Sequence, residues 1–171
     1  MNIKELSRLR RLIESIQKWA IDRDLDKKAT RDGQIMKTLE EGAELIIGIS
    51  KGNLALIRDS IGDVFVTLVI GNFITYKNPI DRYVMEELNK KSISCLTPLS
   101  LCDYIIRDLK TFSYNKDYKG LDVRVMIRAL YYTAYTYDLD LIDCVETAYN
   151  EIADRKGVVK NGTFIKESDL V

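Results

Sequence analysis

Histidine is absent from all 171 residues. That excludes serine–histidine–aspartate and cysteine–histidine hydrolases and zinc sites built on imidazole. It also excludes di-iron bundles, which need a Glu-x-x-His pair from each of two helices. Proline is almost as scarce: Pro79 and Pro98 are the two present, both near the middle. With helix formers dominating elsewhere, an all-α protein is expected. Cys95, Cys102 and Cys144 are odd in number and lack metal-ligand spacing. They predict reduced thiols and a cytoplasmic setting rather than a disulfide framework. Neither charge is in excess, since Lys plus Arg and Asp plus Glu each total 26. There is thus no electrostatic case for a nucleic-acid or membrane-surface partner. The start, Met1 to Glu5, carries no apolar leader, and the most apolar stretch is interrupted by Asp63, Asn72 and two glycines, so no membrane span is expected. What remains is chemistry done by carboxylates, Lys, Arg, Tyr and metal.

What is present is helical periodicity in a chain long enough for one domain, 1–171. Ile3, Leu6, Leu9, Ile13, Ile16 and Trp19 predict a helix over 3–20, ended by the polar run Asp22–Asp26. A second helix starts at Thr30 or Asp32, either able to cap it, and stops at Lys51-Gly52-Asn53. The third, about 54–76, is apolar all round, as a central helix would be. Residues 77–97, with Asn78-Pro79 and Lys90-Lys91-Ser92, suggest a linker with a short helix. Thr97-Pro98 opens a helix over 98–112, and a loop over 113–120 follows. A helix over 121–137 carries Tyr131, Tyr132, Tyr135 and Tyr137, expected to serve packing or a subunit interface. A last helix runs over about 139–155, and a small hairpin about 158–166 turns at Asn161-Gly162.

The chemistry gathers in two acidic clusters, Glu40-Glu41-Gly42-Ala43-Glu44 and Asp59-Ser60-Ile61-Gly62-Asp63. Glu41 and Glu44 share a helix face by their i, i+3 spacing, and Asp59 and Asp63 do so at i, i+4. Folding the two helices back at Gly52 sets Glu44 opposite Asp59 and Glu41 opposite Asp63. Gly62 is expected to let these two helices approach. Carboxylates aimed at one another repel unless a cation sits between them. The oxygen-only donor set suits Mg²⁺, with Mn²⁺ as substitute.

Several motifs then resemble one family. They are Gln34-x-x-Lys37-x-x-Glu40-Glu41-x-x-Glu44-Leu45, Ile61-Gly62-Asp63-Val64, Ala148-Tyr149-Asn150-Glu151-Ile152-x-Asp154-Arg155-Lys156-Gly157 and Asn161-Gly162-Thr163-Phe164. Together they resemble the MazG-like all-α nucleoside triphosphate pyrophosphohydrolases, related to dimeric dUTPases and dCTPases, and most of all the phage and prophage type. The resemblance implies a four-helix-bundle-like core over about 3–76 and 138–157. Two inserted helices within about 77–137 would cover the site, form an interface or bind something else. It implies a homodimer or dimer of dimers, and Mg²⁺-dependent cleavage of a (d)NTP between the α and β phosphates to (d)NMP and pyrophosphate, in a bacterial cell or phage-infected host.

The family motif, Glu-x-x-Glu then Glu-x-x-Asp, falls on Glu41, Glu44 and Asp63. Its fourth position holds Ser60, and Asp59, one residue earlier, replaces it if the helix is turned to present it. Metal ligands are thus expected at Glu41, Glu44, Asp59 and Asp63. Glu40 or Glu41 would orient or deprotonate the attacking water. Lys37, Arg155 and Lys156 are candidate phosphate contacts, Asn150 a hydrogen-bonding partner for base or sugar, and Trp19 a base-stacking surface. The alternative that Ser60 raises is a catalytically degenerate nucleotide-binding sensor or regulator.

Overall fold

Local signals place nearly every boundary. The computed structural model describes residues 3–77, 80–88, 95–116, 118 and 120–170, Leu121 by its backbone alone. The helices are α1 (Ile3–Asp22), α2 (Leu25–Lys28), α3 (Arg31–Lys51), α4 (Leu54–Tyr76), α5 (Asp81–Leu88), α6 (Pro98–Asn115), α7 (Gly120–Thr136) and α8 (Leu141–Ala153). The strands β1 (Gly157–Lys160) and β2 (Thr163–Lys166) follow, then a 3₁₀ turn, Glu167–Asp169.

Thr30, not Asp32, caps α3: its Oγ1 accepts from the Gly33 N–H at 3.1 Å. Gly52 ends α3 in the left-handed region at φ 61°, where a side chain would be strained. Asn53 then starts α4 at once, its Oδ1 accepting from the Leu56 N–H at 3.2 Å. Thr97 caps α6 with Pro98 in the first turn, and Asp140 caps α8.

The apolar helix α4 is central and touches α1, α3, α7 and α8. Its buried run from Ile57 to Asn72 includes Val64, Phe65, Leu68 and Val69, all inaccessible to solvent. Burying a Leu- or Phe-sized side chain contributes about 1.5–3 kcal/mol, so this face dominates the core. Gly62 behaves differently from expectation: a methyl group there would strike Ala148 and the Cys144 carbonyl. It admits α8, not α3. Close approach of α3 to α4 depends instead on Gly48, against Ile57.

Between α4 and α8, among the described residues, lie the short helix expected within 77–97, here α5, and the two longer helices α6 and α7. The turn of Asn78-Pro79 and the run Lys90-Lys91-Ser92 lie outside the described residues. α6 continues to Asn115, past the expected end at 112. Just beyond it Tyr118 is buried across the core helices. Its hydroxyl meets Thr38 Oγ1 at 2.9 Å, and its carbonyl accepts from Asn72 Nδ2 at 2.6 Å. Gly71 leaves room for its ring, which Phe112 meets edge-on.

The hairpin pairs antiparallel, Gly157 with Lys166 through Lys160 with Thr163. Asn161 and Gly162 both take positive φ, 55° and 81°, as the tight turn requires. Thr30 N–H donates to the Gly162 carbonyl at 2.9 Å, tying the turn to the start of α3. Cys95, Cys102 and Cys144 are free thiols. Among the described residues no helix is long and apolar enough to cross a membrane.

Candidate active site

The tight α3–α4 turn sets a register in which both acidic clusters reach one cleft of about 470 Å³. Glu40, Glu41 and Glu44 come from α3, Asp59 and Asp63 from α4. The same cleft is lined by Glu151 near the end of α8, Arg155 just beyond it, and Lys166 at the end of β2. The floor is apolar, made by Trp19, Leu25, Val66, Ile70 and Phe164, with Gln34 and Thr67 among them. Gln34 Nε2 donates to the Thr67 carbonyl at 3.2 Å, which fixes its amide in the floor.

Ser60 and Asp59 resolve by helix rotation. Ser60 is 1% exposed, faces the core, and its Oγ has no hydrogen-bond partner. Asp59, a residue earlier, lines the cleft beside Asp63. The α4 helix therefore presents an i, i+4 carboxylate pair where the family pattern has i, i+3.

Electrostatics single out two carboxyls. Burial, then the charges of Glu41, Asp59 and Glu151, push Asp63 from its ordinary 3.8 up to about 7, with Arg155 opposing. Burial also raises Glu41; Lys37 and Lys166 counter it, while Glu44 and Glu40 add to it. Lys37 is committed, 2.6 Å from Glu40 and 3.8 Å from Glu41. Among the described residues, the Arg155 and Lys166 side chains donate no hydrogen bond and form no ion pair, although both line the cleft. The cleft thus combines crowded carboxylates with two cations that hold no ion pair among the described residues.

Trp19 reaches the floor, but its ring is already used. Its Nε1 donates to the Ile152 carbonyl at 2.6 Å, Phe164 meets it edge-on at 5.2 Å, and the Arg23 guanidinium lies 4.4 Å over its face. Arg23 also donates to the carbonyls of Ala153 and Arg155. This assembly positions the end of α8 and the hairpin, and leaves Trp19 little face for a base.

Asn150 and Lys156 are exposed and contribute nothing to the cleft lining. Glu151, Lys166 and Gln34 do line it, without having been singled out from the sequence.

The donor set is chemically right for a hard divalent ion, being oxygen only and electrostatically unrelieved at Asp63. Among the described residues, no three carboxylates are already drawn close enough to form a metal-binding group.

No protein-family model matches the chain, and no solved structure matches it. A curated relative from Haemophilus phage HP1 (strain HP1c1) is described as an uncharacterized 18.2 kDa protein in the rep-hol intergenic region. It is 41% identical over 80 residues, covering 47% of this chain and 47% of that protein. The chain spans about half the length of the curated relative it matches, and is similar there to a phage protein whose name states no activity.

Proposed function

We propose that the chain is a Mg²⁺-dependent nucleoside triphosphate pyrophosphohydrolase of the MazG-like type. The observation that carries this reading is a cleft that gathers carboxylates of α3 and α4 together with Arg155 and Lys166, two cations that form no ion pair among the described residues. A site for a neutral or cationic ligand has no use for such a combination, whereas a polyphosphate with its cation needs both charges.

Glu41, Glu44, Asp59 and Asp63 would hold the ion, which when bound supplies charge neutralisation and polarises the phosphate. Arg155 and Lys166 bind phosphate oxygens and offset charge on the leaving pyrophosphate. Glu41, partly buried and with its proton affinity raised, orients the water and takes a proton from it. Glu40, tied to Lys37, holds that lysine beside Glu41 and is the weaker candidate base. The apolar floor with its single fixed amide, Gln34, accepts base and sugar and excludes water there. The water oxygen bonds to phosphorus as the α–β bridging P–O bond breaks, giving a monophosphate and pyrophosphate.

The test is incubation with Mg²⁺ and each of the canonical and modified dNTPs, with pyrophosphate and orthophosphate quantified separately. Pyrophosphate with monophosphate is the expected result; orthophosphate alone, or no turnover of any substrate, overturns it. Binding of a dNTP without turnover would instead assign the chain as a nucleotide sensor.

A further inference from the structure

None of the residues lining the cleft comes from α5, α6 or α7, so these helices do not build or cover it. What α6 does carry is an unpartnered face. Leu101, Ile105, Asp108, Leu109 and Phe112 are buried on its inner side. Its outer side presents Leu99 (81% exposed), Asp103, Ile106 (54%), Lys110 and Tyr114 (87%). Their spacing of four, three, four and four residues places all five on one stripe opposite the buried side. Among the described residues, Asp103 and Lys110 form no ion pair and no side-chain hydrogen bond. Large apolar side chains held this far into solvent on one helix face mark an interaction surface.

The order of residues names the partner. Reversing the helix about a point between Ile106 and Arg107 exchanges Leu99 with Tyr114 and Asp103 with Lys110, and leaves Ile106 near the axis. The stripe is therefore complementary to itself under a two-fold rotation. Each Leu99 meets the other copy's Tyr114, each Asp103 meets the other copy's Lys110, and the two Ile106 side chains meet at the centre. A parallel pairing would instead set Asp103 on Asp103 and Lys110 on Lys110, so charge selects the antiparallel arrangement. Arg107 feels the charge of Asp103 one turn away but directs its hydrogen bonds to Asp108, with its guanidinium over the Tyr104 ring.

We propose that the outer face of α6 is a two-fold interface with α6 of a second copy of this chain, run antiparallel, with Asp103 paired to Lys110 across it. A single helix pair is smaller than the roughly 1,200 Å² at which stable interfaces begin, so this contact dissociates at about micromolar concentrations.

The test is the mass of the full chain by sedimentation equilibrium from about 1 to 300 μM. Wild type is expected to show a concentration-dependent doubling of mass. Asp103→Lys, Lys110→Asp and Ile106→Glu each raise the dissociation constant of that step by at least about tenfold. The double reversal Asp103→Lys/Lys110→Asp returns it to within about threefold of wild type, because each lysine again meets an aspartate. An equimolar mixture of the two single charge variants assembles, although neither does so alone. Melting temperatures stay unchanged, since every altered side chain is solvent-exposed. No concentration dependence in wild type, or the same mass for all variants, overturns the proposal.

Discussion

Two pairs of carboxylates in this molecule, one buried and one partly buried, have opposite surroundings. Glu87 of α5 is buried against Arg128 of α7, which donates to its Oε2 from Nε and Nη2 at 2.8 and 2.7 Å. Asp108 of α6 is likewise buried and held by Arg107 at 3.0–3.1 Å. In the cleft, Asp63 accepts no hydrogen bond among the described residues and faces Glu41, Asp59 and Glu151. Among the described residues Glu41 has one ion pair, a long one to Lys37 at 3.8 Å. A buried charge with its counter-charge is a device of architecture. A partly buried charge among like charges costs stability and persists where a ligand is to relieve it.

The sharpest way to break this contrast is to neutralise one member of each pair. Asp63→Asn or Glu44→Gln is expected to lower pyrophosphate release by at least about 10³-fold, roughly 4 kcal/mol of transition-state stabilisation, with the helical CD spectrum retained. Glu87→Gln should leave kcat within about threefold per folded molecule, because no α5 residue lines the cleft. Equal losses in both variants would erase the distinction.

The complementary prediction concerns stability. Arg128→Met removes the guanidinium that donates twice to buried Glu87, and loss of one partner of a buried pair costs about 3 kcal/mol. In a chain of this length the melting temperature is expected to fall by about 10 °C. A fall of less than about 2 °C would mean that Glu87 is held by the rest of its surroundings.

A smaller effect separates the cleft's cations. Lys166→Met removes an uncommitted cation, so KM for the triphosphate should rise about tenfold with kcat changed less than threefold. Lys37→Met removes one already bound to Glu40, and its KM should shift less than threefold. The reverse ranking in steady-state kinetics would move the phosphate to the α3 side.

Much of this arrangement was legible in the residues, for local reasons. Thr30, Gly52, Thr97-Pro98 and Asn161-Gly162 carry their boundary information within a few residues, so helix ends and hairpin follow from capping and turn chemistry. The pairing of residues 40–44 with 59–63 follows equally directly, because a short turn leaves no freedom in register. What escaped depends on contacts distant in sequence. Whether Gly62 serves α3 or α8 is a choice of neighbour that one helix cannot express. Asp59 could be placed over Ser60 only once the rotation of α4 was set by its packing. Lys166 reaches the cleft because Thr30 and Trp19 dock the hairpin there, across more than a hundred residues. The short helix expected within 77–97 had no bounds from the sequence, because its eight residues carry too little periodicity; packing of Val84 and Leu88 sets them.

The gentlest prediction follows the proton on Asp63. Its carboxyl, at an ordinary 3.8 in the unfolded chain, is held up to about 7 in the fold by burial and by Glu41, Asp59 and Glu151. Between those values the folded protein keeps a proton that the unfolded chain has released. This contribution to stability is therefore complete below pH 3.8 and is lost as the pH rises through about 7. The raised Glu41 acts in the same direction. Metal-free protein should melt lower at pH 8 than at pH 6, and Asp63→Asn should flatten that slope and raise the pH 8 melting temperature by about 2–4 °C. Mg²⁺ should restore wild type at pH 8 and do little at pH 5, because a proton and a cation compete for the same oxygens. In Asp63→Asn the ion should restore much less. The same substitution that most damages turnover would then be the one that stabilises the metal-free fold. A carboxylate paired like Glu87 cannot behave in this way, because removing its charge strands an arginine instead of relieving a repulsion.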